Sequence, residues 1–68
     1  MTSPKPFDVV RLQSDLLQHG LVRGAIGTVI VLHGNGDCEV EFTYDEGETI
    51  ALLALKFEQL EVSWSADR

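Results

Sequence analysis

A thiol, two imidazoles and a run of carboxylates are the residues of this chain whose types could do chemistry. Cys38 is the only cysteine, and His19 and His33 are the only histidines. A thiol beside an imidazole base makes a nucleophile, because the ring takes the proton and leaves a thiolate. Cys38, however, alternates with Val40 and Phe42 in Cys38-Glu39-Val40-Glu41-Phe42. That period of two belongs to a strand and puts the thiol on the apolar, core-facing side. A thiol in apolar surroundings has a raised pKa and is inert. His33 opens a glycine-rich turn and His19 precedes Gly20, so both read as exposed loop residues. These three residues also fall short of a four-ligand zinc set. The sequence therefore assigns no catalytic residue, no metal ligand and no cofactor.

The carboxylates are more numerous. Asp37, Glu39, Glu41, Asp45, Glu46 and Glu48 are six acidic residues within twelve, with no basic residue among them. Glu39 and Glu41 share the polar face of their strand, roughly 7 Å apart. Paired carboxylates at such spacings can work as acid and base, but no pocket that would tune their pKa values is visible. Glu39, Glu41, Asp45, Glu46 and Glu48 read instead as a solvated face or as a docking surface for a basic partner. The whole chain carries eleven acidic and five basic residues, a net charge of −6. That balance opposes phosphate backbones, whose affinity comes from Lys and Arg. Only Arg11, Arg23 and Lys56 lie inside the expected fold.

The elements that position these groups are short strands. Sixty-eight residues make one domain, 1–68, and a chain this short buries only about 60% of its unfolded surface. No internal disulfide can reinforce it, so packing or self-association must. Residues 1–6 and 65–68 read as loose ends. Phe7–Leu12 is predicted as the first strand, followed by a long ordered loop, Gln13–Gly24, whose leucines fold back onto the core. Ala25–Leu32 forms the second strand, with Gly27 marking a bend or a close backbone approach. Asn35-Gly36 is a strong hairpin signal. Cys38–Phe42 follows as the third strand, and Asp45-Glu46-Gly47 as the next turn. Thr49–Leu55 is the fourth strand, Lys56–Gln59 a helical turn, and Leu60–Val62 the fifth strand. The expected fold is all-β: a five-stranded SH3-like small barrel with that long loop between strands 1 and 2 and the helical turn before strand 5.

Two strands are apolar on both sides. In Ile50-Ala51-Leu52-Leu53-Ala54-Leu55, one face fills the interior and the other needs cover, since small monomers rarely expose large apolar patches. Ala51, Leu53 and Leu55 are expected to face outward as a partner or dimer face. Ile30, on the second strand, is the next candidate, with Val29 and Val31 on the opposite side. Leu16, Leu17, Leu21 or Trp64 could cover the exposed face from within the chain; a second copy or another protein is the alternative.

Gly24-Ala25-Ile26-Gly27-Thr28-Val29 resembles the glycine-containing strand of KOW-type SH3-like barrels. Together with Phe7-Asp8-Val9-Val10, Glu39-Val40-Glu41-Phe42 and Gln59-Leu60-Glu61, it resembles a family of small stand-alone bacterial proteins of unknown function. That family is similar in turn to SH3-like accessory proteins, including a small ferredoxin-docking subunit of photosynthetic complex I. The resemblance implies a barrel that binds another protein.

The sequence thus points to a non-enzymatic protein-interaction module that docks through an apolar strand face, an acidic surface or both. The alternative is a KOW-like accessory factor on RNA or ribonucleoprotein. The expected partner is another protein, including a second copy in a homodimer, with nucleic acid disfavoured. No segment has the roughly 18 apolar residues of a membrane span, and the N-terminus lacks the apolar core of a signal peptide. A lone cysteine suits a reducing compartment, so the cytoplasm is the expected location.

Overall fold

Alternation decides which segments extend. In Asp37–Thr43, Cys38, Val40 and Phe42 recur at every second position. The computed structural model, which describes residues 3–43 and 48–65, makes this segment strand β3, with those three side chains buried. Before it come β1 (Val9–Leu12) and β2 (Ile26–His33), and after it β4 (Thr49–Lys56) and β5 (Leu60–Trp64). All five pair antiparallel in one sheet, in the order β4-β3-β2-β1-β5. The fold is all-β, as the sequence predicts. Among the described residues the edge strands β4 and β5 share no ladder, so the sheet is not closed.

It is nonetheless curled. β4 and β5 occupy opposite edges yet are joined only by the 3-10 turn Phe57–Gln59. Four strand spacings would part the edges of a flat sheet by about 19 Å, whereas the four residue steps from Lys56 to Leu60 reach about 14 Å at most. The edges must therefore approach at that end. The inner side of the curl holds the core: Val10, Leu12, Leu21, Val29, Cys38, Val40, Phe42, Leu55 and Leu60.

Gly27 permits the tightest part of this packing. It lies mid-strand in β2, between Val10 on β1 and Phe42 on β3. A Cβ placed there would stand 2.6 Å from Val40 Cγ1 and 2.9 Å from two ring carbons of Phe42. The close backbone approach inferred from the sequence is present. The hairpin between β2 and β3 turns through Gly34-Asn35-Gly36, with Gly36 in the left-handed region (φ 88°) that glycine adopts without strain. The expected Asp45-Glu46-Gly47 turn lies outside the described residues.

The long loop is ordered by its leucines. Leu16 and Leu21 bridge it through paired backbone hydrogen bonds, with a 3-10 turn at Leu17–His19 between them. Leu21 is buried in the core, Leu16 packs against it, and Leu17 points to solvent.

Each strand is displaced from expectation by one or two residues at one end or both, most tellingly at the first. The first strand begins at Val9 rather than Phe7, because Phe7 sits in the left-handed region (φ 71°) with its side chain exposed. The chain ends are also tied down further than the sequence suggests. Pro4 is buried, and so is Asp8, at 0% exposure. The Asp8 carboxylate accepts the Lys5 N–H at 3.0 Å and the Ser65 O–H at 2.9 Å. A buried carboxylate is tolerated only when hydrogen-bonded, and here the bonds pin the lead-in to the tail.

Candidate functional site

The outer face of the sheet consists of the residues that alternate with the core. Glu41 lies opposite Leu52 on β4 and Thr28 on β2; Glu39 lies opposite Ala54 and Val31; Asp37 lies opposite Lys56 and His33. Residues directly opposite one another in an antiparallel ladder share a face. These three rows therefore make one patch, roughly 10 Å across three strands and 14 Å along them. Leu52 is 55% exposed and Val31 44%, with the carboxylates of Glu39 and Glu41 between them. Glu39 Oε2 lies 3.1 Å from Nε2 of His33.

This arrangement corrects the expected parity of the fourth strand. Ala51, Leu53 and Leu55 lie opposite Phe42, Val40 and Cys38. The latter are core residues, so the β4 residues facing them must be inward too. Leu55 is buried at 6% exposure, and Ala51 and Leu53 pack against the core. Leu52 and Ala54 form the exposed side. The second strand differs for another reason. A bulge between Val29 and Val31 makes Ile30 the extra residue, so Val31 takes the outward slot opposite Glu39 while Val29 stays buried. Ile30 is half-buried. A bulge in the four-residue aliphatic run Val29-Ile30-Val31-Leu32 leaves no sequence signal, since either parity is apolar.

Among the expected acidic residues, Glu39 and Glu41 stand side by side on the patch and Glu48 is exposed just before β4. Asp45 and Glu46 lie outside the described residues. Trp64, one of the residues expected to provide cover, is itself 57% exposed.

β4 also presents an open edge. It is eight residues long, apolar from Ile50 to Leu55, without proline, and its one charge is terminal Lys56. Natural edge strands are usually shortened, charged, bulged or covered. Both edges carry a bulge, with Ile50 the extra residue on β4 and Ser63 on β5. β5 is the shorter, five residues that include Glu61, whereas β4 runs eight with its bulge and its one charge near its ends.

The groups first considered for chemistry are dispersed. Cys38 is buried, and burial, followed by the charge of Asp37, pushes its thiol pKa up. His33 is on the outer face beside Glu39, and His19 is in the loop beside Gln18. The described residues contain no group of three or more His, Cys, Asp or Glu placed to hold a metal ion. The buried carboxylate of Asp8 is not among the groups the sequence singles out; its place in Phe7-Asp8-Val9-Val10, an acid entering an apolar strand, is the available clue.

The family model described as a domain of unknown function (DUF4926) matches residues 7–62. The chain belongs to this family. The match runs from Phe7 through the core of β5, so the patch on β2, β3 and β4 lies wholly inside the family's domain. No curated protein and no solved structure matches the chain. No helix among the described residues is long and apolar enough to cross a membrane.

Proposed function

We propose that this DUF4926 protein is a non-enzymatic protein-interaction module, an SH3-like barrel that acts in the cytoplasm and docks a partner through β4. Strand order, the curl imposed by the turn before β5 and the bend at Gly27 support the barrel reading. The lone, buried Cys38 suits a reducing compartment.

The observation that carries the docking reading is β4 itself, a long edge strand that is apolar between its bulge at Ile50 and its terminal Lys56, and that exposes Leu52 on its outer face. The outer patch alone covers on the order of 140 Å², against about 800 Å² per partner in a standard interface. A partner must therefore extend beyond the patch, and the open edge provides the continuation. An extended segment added along β4 gains main-chain hydrogen bonds. Its outward side chains meet Leu52, Ala54, Glu39 and Glu41, which favours a segment mixing apolar and basic residues. A second copy is the competing occupant, but the net charge of −6 sets two acidic surfaces against each other.

The test is site-specific photo-cross-linking in cells of the source organism, with the photoreactive residue at Leu52, at Val31 or, as an exposed control, at Leu17. A discrete adduct from Leu52 and Val31 but not Leu17 is expected. Adducts equal at all three positions, or none, would remove the docking face, and an adduct to the chain itself would identify the partner as a second copy.

A further inference from the structure

Four described residues carry a permanent positive charge, Lys5, Arg11, Arg23 and Lys56, in a chain of net charge −6. Two of them, Arg11 and Arg23, line one cleft of about 200 Å³, together with Leu12, Gln13, Gly24 and Glu61. The cleft lies at the end of β1, away from β4, where the long loop meets the outer face. Neither guanidinium forms an ion pair with a described residue. Arg11 is the ladder partner of Glu61, yet no bridge joins them.

The walls are fixed by backbone hydrogen bonds. The Arg23 N–H donates to Asp15 Oδ1 at 2.7 Å. The Gly24 N–H donates to the Leu12 carbonyl at 2.9 Å, and the Gln13 N–H to the Gln59 carbonyl at 2.9 Å. The Gln13 side-chain amide donates to the Leu60 carbonyl at 2.8 Å. The backbone beneath both arginines therefore needs little reorganisation when a ligand enters, and the ordering of the two exposed guanidinium side chains is the cost that binding must offset.

We propose that this cleft binds a carboxylate that carries a neighbouring N–H, the chemistry of a peptide C-terminus. The two guanidinium groups match a carboxylate in charge and in planar donor geometry. Glu61, an acceptor in the same cleft, matches the adjacent amide N–H and disfavours ligands that are anionic throughout. The cleft is open to solvent on one side, so a terminal carboxylate sits within its roughly 200 Å³ while the preceding chain runs outward. The excess acidity of the protein further disfavours a polyanion such as RNA.

The experiment is an amide and arginine side-chain NMR titration of the whole protein at constant ionic strength, with N-acetylglycine as probe. Saturable shifts at Arg23, Gly24 and the Arg11 and Arg23 Nε–H groups are expected, with no saturable shift from N-acetylglycinamide. Arg11→Gln and Arg23→Gln should each weaken binding about tenfold or more, as loss of a charge-assisted hydrogen bond implies. Both residues are exposed, so the variants should keep the wild-type spectrum elsewhere. An absent or non-saturating response overturns the proposal, as do equal responses to acid and amide, or binding that survives in the double variant. Saturation by inorganic phosphate but not by N-acetylglycine would replace carboxylate with phosphate. Tighter binding of an RNA oligomer, lost in the double variant, would reassign the cleft to nucleic acid.

Discussion

Replacing Gly27 with alanine adds one methyl group at the most crowded point of the sheet. That methyl would stand 2.6 Å from Val40 Cγ1 and 2.9 Å from Phe42 Cδ1 and Cε1. Carbon atoms rest at about 3.5–4.0 Å, so roughly 1 Å must be found. Neither neighbour can yield by turning toward solvent, since Val40 is 0% and Phe42 1% exposed. Overpacking of this kind costs about 1–3 kcal/mol. The smaller unfolded-state entropy of alanine recovers about 0.4–1 kcal/mol only where the native geometry accepts it, which is not the case here. The total stability of a 68-residue chain is on the order of 3–10 kcal/mol, so the loss is a large share. At about 4–8 °C per kcal/mol, Tm should fall by roughly 4–24 °C. Thermal and urea unfolding of Gly27→Ala, Val40→Ala and the double variant make a complete cycle. Val40→Ala removes the nearest clashing carbon, so the double variant should be more stable than the sum of the singles, by about 0.5–3 kcal/mol. An unchanged Tm for Gly27→Ala, or strict additivity, would refute the close-approach account.

The remaining predictions concern buried groups and the exposed edge. Cys38 should react with a thiol reagent only after denaturant is added, and Cys38→Ser should lose about 1–3 kcal/mol by burying a hydroxyl. The folded pKa of Cys38 is raised, so the native state holds its proton after the unfolded chain has lost it. That contribution is full below the unfolded thiol pKa, about 8.5, and declines as pH rises through the folded value; Cys38→Ala should lack this alkaline decline in urea titrations. Ser65→Ala should cost about 1–3 kcal/mol, because it deprives buried Asp8 of a partner, and proteolysis should then release both chain ends. Leu52→Lys, at an exposed site, should leave stability within about 0.5 kcal/mol while abolishing the Leu52-face association seen by cross-linking from Val31.

The sequence showed strand existence well where polar and apolar residues alternate, and poorly where they do not. β3 was readable because glutamate separates Cys38, Val40 and Phe42, and its buried face followed directly. β4 was readable as a strand, but a run of aliphatics has no polar residue to mark the outer side. Its facing is fixed by register against β3, a long-range relation. Val31 faces outward because of a bulge whose residues are apolar on both sides. Asp8 and Ser65 are 57 residues apart, and nothing local joins them. The same holds for Arg11 and Arg23, which only the loop's backbone bonds bring into one cleft.

Backbone hydrogen exchange of β4 tests the central claim most directly. In the free protein, the amides of residues 49–55 that face the open edge have no ladder partner among the described residues and should exchange fast, whereas the Lys56 N–H donates to Gln59 Oε1 at 2.8 Å and β1, flanked on both sides by β2 and β5, stays protected. In the complex isolated through the Leu52 cross-link, those β4 amides should become protected, with β5 unchanged. Protection that appears only in β5 or the long loop, or β4 amides that exchange equally fast in both states, would contradict docking through β4.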